Sequence, residues 1–503
     1  MRASRIYLTL FFFALLGSSC GGNSATSATS TAAPVTDLSK SASPLLPTDE
    51  SFSSPNPGTE PALTESQPVT TVAPTGLNPA GPYAVFEGEH GIWIANPDGS
   101  FPTRIAEQGA GNPGVNLPDV ISPRGDRIAA TVIGETGVDL VILDVPSGRK
   151  ASTTRLIDIT RRELRLNSMS PKAFAYYAIT GFPNLAWQSG SGAILAYTGM
   201  GNGTTADMYT VDLDWEKVRH LEQDPSQAVS PIWSPDGSHL LFFGVEWLPP
   251  FGATYITFQP MAGFWAARAS DNQLLPQTKL KGTYQNFTGW QDNTHYLVFD
   301  SSDKCIAQNL RAVDLLTGEE TPIADFCLSQ RPAFSPANRA LLISVDADCG
   351  CGLEQGVYRM APPSMAPTRL LEKPALDLFW LPESGLFYAY PDALFSADGN
   401  VRFDPPVIGS SYRPAVSKNG AQAWVVLENH RSRVVLQIRG GEWKTLLEGS
   451  VSAMLWDPLS GDTLLIVLES GSLYSATGPD FTPRLMGDLG GYYDRAAWTP
   501  VPG

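Results

Sequence analysis

From residue 82 to the end, apolar residues come in short runs divided by turn chemistry, and the runs recur in one arrangement. An aromatic or apolar residue precedes Ser-Pro, Asp-Pro or a variant. A Gly- or Asn-containing turn follows, then an apolar, β-rich run. The segments read ISPRGDRIAATV (121–132), WQSGSGAILAYT (187–198), WSPDGSHLLFFG (233–244) and WQDNTHYLVFD (290–300). They continue as FSPANRALLISV (334–345), WLPESGLFYAY (380–390), VSKNGAQAWVVL (416–427) and WDPLSGDTLLIVL (456–468). Each predicts a strand, a tight turn and a second strand. A loop and a further β run separate one hairpin from the next, and successive segments start 36 to 66 residues apart.

Repeats of about 40–50 residues with four short strands each are the pattern of propeller blades. A four-stranded twisted sheet cannot bury both faces alone, and stacking such sheets around an axis does so. The fold class is therefore all-β, a β-propeller. The ends support closure. Residues 82–107 have the form of a blade without its first strand, and AAWTPVPG (496–503) has the form of a first strand with nothing after it. Joined, they complete one blade and remove free sheet edges. Counting that shared blade gives nine units. The unit at 375–407 is short, so the expected number is eight, with seven to nine open. Residues 156–183 exceed what a blade needs and form a helical or loop insertion.

The turn Trp233-Ser234-Pro235-Asp236-Gly237 resembles the TolB-like, WD40-like propeller repeat. Ser122-Pro123-Arg124-Gly125 and Phe334-Ser335-Pro336 resemble it less closely. The resemblance covers about 82–503. It implies the fold and leaves function open. TolB itself carries an additional N-terminal α/β domain where this chain has a polar linker, so its partner role is not carried over. The propeller also resembles that of prolyl-oligopeptidase-type peptidases, whose hydrolase domain has no counterpart in these residues.

The N-terminal region reads as an address. Arg2 and Arg5 precede eleven uncharged residues, IYLTLFFFALL (6–16), too few for a mature span of about 20 residues and suited to a secretory signal. Gly17-Ser18-Ser19-Cys20 resembles a bacterial lipobox, which implies a signal over 1–19 and a lipidated Cys20; Gly17 stands where that pattern usually has Leu. Residues 21–80 hold 10 Ser, 10 Thr and 9 Pro with Phe52 as the lone aromatic. Such a stretch cannot bury enough apolar surface to offset its ordering entropy. The expected organisation is a signal at 1–19, a disordered tether at 20–80 and a propeller at 81–503.

Composition narrows the partners. Hydrophobic residues are 43% and charged ones 17%, and a net charge of −16 repels nucleic acid and anionic lipid. A protein or glycan of the cell envelope is the expected partner, and a monomer the expected state. Trp187, Trp233, Trp290, Trp380, Trp456 and Trp498 sit just before each turn and read as packing between blades. Asp236-Gly237 and Asn419-Gly420 are hairpin chemistry rather than phosphate loops.

Local catalytic signatures are missing. No Gly-x-Ser-x-Gly elbow occurs; Gln188-Ser189-Gly190-Ser191-Gly192 lacks the first glycine. His90, His220, His239, His295 and His430 form no zinc-hydrolase pair. No cofactor and no metal are expected; Asp346-Ala347-Asp348 hints at calcium without the remaining oxygen ligands. Propeller topology places the loops between second and third strands on one face. Cys305, Cys327, Cys349 and Cys351 fall in that sector as disulfide candidates. The favoured pairing is Cys305–Cys327 with Cys349–Cys351, and bridges from Cys327 to Cys349 or Cys351 are the alternatives. The segment 245–262 interrupts its unit between Phe243-Gly244 and Phe264 as a long aromatic loop with Trp247, Phe251, Tyr255 and Phe258. It either binds a partner or folds back onto the ring. His430 and Arg431 are candidates for a polar pocket on the same face. The function expected is a lipid-anchored, extracytoplasmic, non-catalytic binding scaffold. The alternative is a lyase or glycan-active hydrolase with a site assembled across blades.

Overall fold

The computed structural model describes residues 76–500 except 89–90, 107–109, 112–116, 169, 201–204, 222–226, 248–257, 276–284, 303, 336–338, 348–351, 382–385, 391–392, 397, 399, 408–410 and 492. These residues form nine antiparallel sheets, eight with their strands in sequential order and one completed by the last strand. Blade 1 comprises 84–106 closed by Tyr493–Trp498, and blades 2 to 9 span 110–158, 185–221, 227–268, 285–328, 333–371, 377–403, 411–448 and 451–488. The protein is a β-propeller, and nine blades is the upper end of the expected range. The short unit that lowered the expected number is a complete sheet: its last strands, Ala393–Phe395 and Arg402–Phe403, are very short. Among the described residues blade 4 has three strands, followed by a single bridge from Ala267 to Leu274.

The first strand of a blade packs on the first strand of the next, as between blades 3 and 4, 8 and 9, and 9 and 1, so the first strands line the axis. Fourth strands face solvent: Lys150–Asp158 and Pro367–Leu371 are largely exposed. Second strands lie between two neighbours and lose the period-2 signal of a half-buried sheet. Thr463–Leu468 and Ala340–Val345 are buried on both faces, hence their near-continuous apolar sequence.

The tryptophans seal the joints. The Trp233 indole N–H donates to the Ala186 carbonyl of the preceding blade at 3.0 Å, and Trp380 donates to Ala333 at 3.1 Å in the same way. Trp187 donates to Val120 at 2.9 Å. Trp187, Trp233, Trp290 and Trp456 are all buried, as packing residues should be. Beside Trp233 the turn knots itself. Ser234 N–H donates to His239 O, Gly237 N–H to Ser234 O, and the Ser234 hydroxyl to Asp236. Gly237 has φ +70°, and a Cβ there would stand 2.5 Å from the Ser189 carbonyl of the blade before. Gly125 has φ +71°, with the Pro500 carbonyl 2.8 Å away. Glycine is therefore required twice over, for the left-handed turn and for the overlap of one turn on the last.

The insertion at 156–183 is helical. Helix α1 (Leu117–Val120) lies in blade 2, ahead of its second strand; α2 (Arg161–Leu166) and α3 (Pro171–Gly181) connect blade 2 to blade 3. Thr160 and Glu163 form a capping box on α2, and Ser170 caps α3 with Pro171 in its first turn. Helix α3 buries Ala173, Phe174, Ala175, Ala178 and Ile179, and packs on the first strand of blade 4. Among the described residues no helix is long and apolar enough to cross a membrane.

Closure follows the expected pairing. Ala84, Val85 and Phe86 lie opposite Trp498, Ala497 and Ala496. Thr499 N–H donates to Tyr83 O at 2.9 Å, and Tyr83 N–H donates to the Thr499 hydroxyl at 2.9 Å. Tyr493 is fully buried in this seam. Tyr493→Ala is expected to cost about 3–5 kcal/mol, as for other buried aromatic truncations. Deletion of 493–503 is expected to abolish the single cooperative transition, because it exposes the edge at Ala84–Gly88; calorimetry of both variants checks this.

Candidate functional site

Successive strands run in opposite directions, so the ring has two unlike ends. The loops between second and third strands share one end, the loop end, with the connections between blades. The first-to-second and third-to-fourth turns occupy the other, the turn end. At the loop end, blade 4 carries an extended hairpin. His239–Trp247 pairs with Phe258–Arg268, through a bulge at Gly244–Glu246, out to Trp247 opposite Phe258. The sequence suggests an irregular loop from 245 to 262. Instead both strands continue, because alternating aromatic and small residues satisfy a ladder as well as a loop, and only 248–257 is left for the tip. Phe251 and Tyr255 lie outside the described residues.

His430 and Arg431 are also at this end, in blade 8. Asn429 and His430 are the two central residues of the hairpin turn, with φ 49° and 63°, a primed turn matched to strand twist. Arg431 begins the third strand opposite Glu428. The reading of His430 as a turn residue accounts for its position. Blades 5, 6 and 7 separate this turn from blade 4, so His430 and Trp247 do not converge.

Cys305 and Cys327 are joined by a disulfide. It fastens the loop before Ala307 to the end of the fourth strand, where Ile306 N–H also donates to Leu328 O at 2.9 Å. Cys349 and Cys351 lie outside the described residues. In the same blade, Arg311 is 8% exposed and lies between Asp300 at 2.9 Å and Glu320 at 2.8 Å. Such a buried ion pair fixes the outer strands of blade 5 relative to one another. Asp346, weighed as a calcium ligand, accepts from the Ser329 hydroxyl instead.

The turn end holds two histidine groupings. An open depression of about 610 Å³ is lined in part by Gln188, Ser238, His239, Arg268 and Leu316. In it the Ser238 hydroxyl stands 2.8 Å from His239 Nδ1 and 2.7 Å from Asp236 Oδ1. A hydrolytic relay needs the carboxylate on the far nitrogen of the imidazole. Here carboxylate and imidazole share the hydroxyl, and Asp236 also accepts from Ser234 and from Ser238 N–H, which is turn chemistry. Burial lowers the His239 pKa. In blade 5, His295 lies between Asp292 at 2.9 Å and Asp314 at 3.4 Å. Burial alone would raise the Asp292 carboxyl, but the N–H groups of Thr294 and His295 and the His295 ring bring it below the usual range. Bonds from the Thr317 and Leu316 N–H groups and the charge of His295 lower Asp314 as well. Both carboxylates are thus committed to holding turns within one blade.

No protein-family model matches the chain, and no curated protein matches it. Solved structures are similar to it over much of its length. A crystal structure of the eukaryotic initiation factor is 14% identical with a TM-score of 0.49, covering 84% of this chain and 98% of that one. Dipeptidyl peptidase 4 of Porphyromonas gingivalis is 13% identical with a TM-score of 0.44, covering 75% of this chain and 60% of that one. TolB from Acinetobacter baumannii is 15% identical with a TM-score of 0.25, covering 75% and 83%. This chain thus spans about 60% of the length of the peptidase.

Two outcomes follow from the local chemistry. The disulfide closes a loop with a sequence separation of 22, so Cys305→Ser is expected to cost about 3 kcal/mol in denaturant unfolding. A carboxylate with a depressed folded pKa contributes stability above its unfolded pKa and loses it as pH falls. Asp236, Asp292 and Asp314 therefore destabilise the ring as pH drops below about 4. Asp292→Asn should flatten that acid limb in melts recorded from pH 6 to pH 3.

Proposed function

We propose that this protein is an extracytoplasmic propeller of the TolB-like repeat class, anchored by lipid on Cys20, that serves as a non-catalytic binding scaffold in the cell envelope. The observation that carries the binding role is the blade 4 hairpin. It is paired out to Trp247 and Phe258 beyond the rest of its blade, and is held on a rigid ring at the loop end. Its connecting residues include Pro249, Pro250, Phe251 and Tyr255, a composition suited to contact with a protein or glycan partner. The Cys305–Cys327 disulfide supports an oxidising compartment. The Ser/Thr/Pro-rich run after Cys20 supports a tether between anchor and ring. The scaffold acts as a monomer, since ring closure leaves no first strand to exchange.

Two measurements test the reading. The native chain is expected to carry acyl mass and to partition into detergent, and Cys20→Ala to lose both. Cross-linking in the intact envelope should capture a partner with the native chain and lose it when 248–257 is replaced by Gly-Gly. An unacylated native chain overturns the anchor, and identical capture by both forms overturns the hairpin as the binding element.

A further inference from the structure

The chain carries 34 basic residues against 50 acidic ones, yet three of its arginines lie within five residues on α2. This helix buries none of its residues and projects from the connection between blades 2 and 3, at the loop end. Arg161, Arg162 and Arg165 are exposed, and Leu166 is 76% exposed beside them. The one carboxylate on the helix, Glu163, is taken up by its own cap, accepting from Thr160 N–H at 2.7 Å and from the Thr160 hydroxyl at 2.8 Å. Arg161 reaches Glu135 at 3.6 Å. Arg165 donates to its own helix at Arg161 O, and no carboxylate lies within ion-pair distance of Arg162, Arg165 or Lys172 among the described residues.

Tyrosine side chains lie on the next helix. Tyr176 and Tyr177 on α3 meet edge to face with ring centroids 5.6 Å apart, and both are half-buried. Burial raises the Tyr176 pKa, and Arg161 is near enough to oppose that rise. The Lys172 ammonium in turn bears on Glu163. Guanidinium forks and phenol rings thus share one small projection. At physiological ionic strength screening acts over about 8 Å, so a ligand at this projection feels these local cations more than the −16 of the whole chain.

The chain enters the ring at the opposite end. Asn78 N–H donates to Asn96 Oδ1, and Asn96 opens the third-to-fourth turn of blade 1. The α2 projection therefore faces away from the point where residues 1–75 join the fold.

We propose that α2 with Tyr176 and Tyr177 is a docking surface for an acidic glycan, a linear polymer carrying uronate carboxylates. Guanidinium forks match carboxylates bidentately. The phenol rings pack on the apolar faces of the sugars, which a bare polyphosphate lacks. No residue of α2 is buried, so a flexible polymer can reach all three guanidinium groups. The inference rests on the scaffold reading and names one ligand class for it.

The test uses the full chain and polygalacturonate, with the fully methyl-esterified polymer and polyphosphate as comparisons. The native protein should bind polygalacturonate, more weakly as salt rises from about 20 mM to about 200 mM, and should ignore the ester. R161Q/R162Q/R165Q should lose roughly tenfold or more in affinity with an unchanged circular dichroism spectrum and melt. Tyr177→Ala should weaken polygalacturonate and leave polyphosphate unaffected. No binding at low salt, or equal binding by the triple variant, overturns the proposal. Polyphosphate bound as tightly as polygalacturonate, with Tyr177→Ala inert, assigns the surface to phosphate polymers and overturns the glycan. If the polymer fails while the blade 4 tip still captures its partner, the scaffold reading stands and this inference alone falls.

Discussion

Everything in this molecule depends on burying sheets that are apolar on both faces. A single twisted four-stranded sheet of the composition of Thr463–Leu468 or Ala340–Val345 has no stable existence in water, because each face needs a partner. Stacking in a ring gives every sheet two neighbours, provided the ring closes. Closure falls to one strand, Tyr493–Trp498, which reaches back across the chain to pair with Ala84–Gly88. The last strand is thereby held by both ladder hydrogen bonds and inter-blade packing.

The joints between blades use a small set of devices. Tryptophan at the end of a first strand covers the seam and, in blades 3, 4 and 7, donates to the chain of the preceding blade. The adjoining turn is tied by serine or aspartate to its own backbone, and its glycine admits the neighbouring turn. These devices leave the turn end committed to structure, which explains why Ser238, His239 and His295 stand near carboxylates without forming a relay. The loop end carries fewer such obligations. Its connections vary from the two residues Asn429-His430 to a long hairpin and a pair of helices, and the proposed binding surfaces are found there.

Much of the ring was legible in the chain. The hairpins at 121–132, 187–198 and 233–244, the packing role of the tryptophans, the shared terminal blade and the Cys305–Cys327 pairing all rest on local chemistry or on simple topology. The blade number was less legible, because the strands of the seventh blade are so short that their apolar signal falls below that of a full unit. The ends of the 245–262 segment are not legible in the sequence because aromatic residues suit an extended ladder and a loop alike. The run Arg161-Arg162-Glu163-Leu164-Arg165 in an acidic chain is the sequence signal of the α2 cations.

The sequence by itself determined the period, the strands, the turns and the all-β ring, since each rests on residues close together in the chain. It also determined a net charge of −16. Tertiary structure alone decided that nine sheets close the ring, that His430 and Trp247 stand apart, and that α2 shares an end of the ring with the blade 4 hairpin. These are facts about which distant residues become neighbours. They follow from how many blades fill the circle and which way each strand runs, and no local pattern of residues encodes that sum.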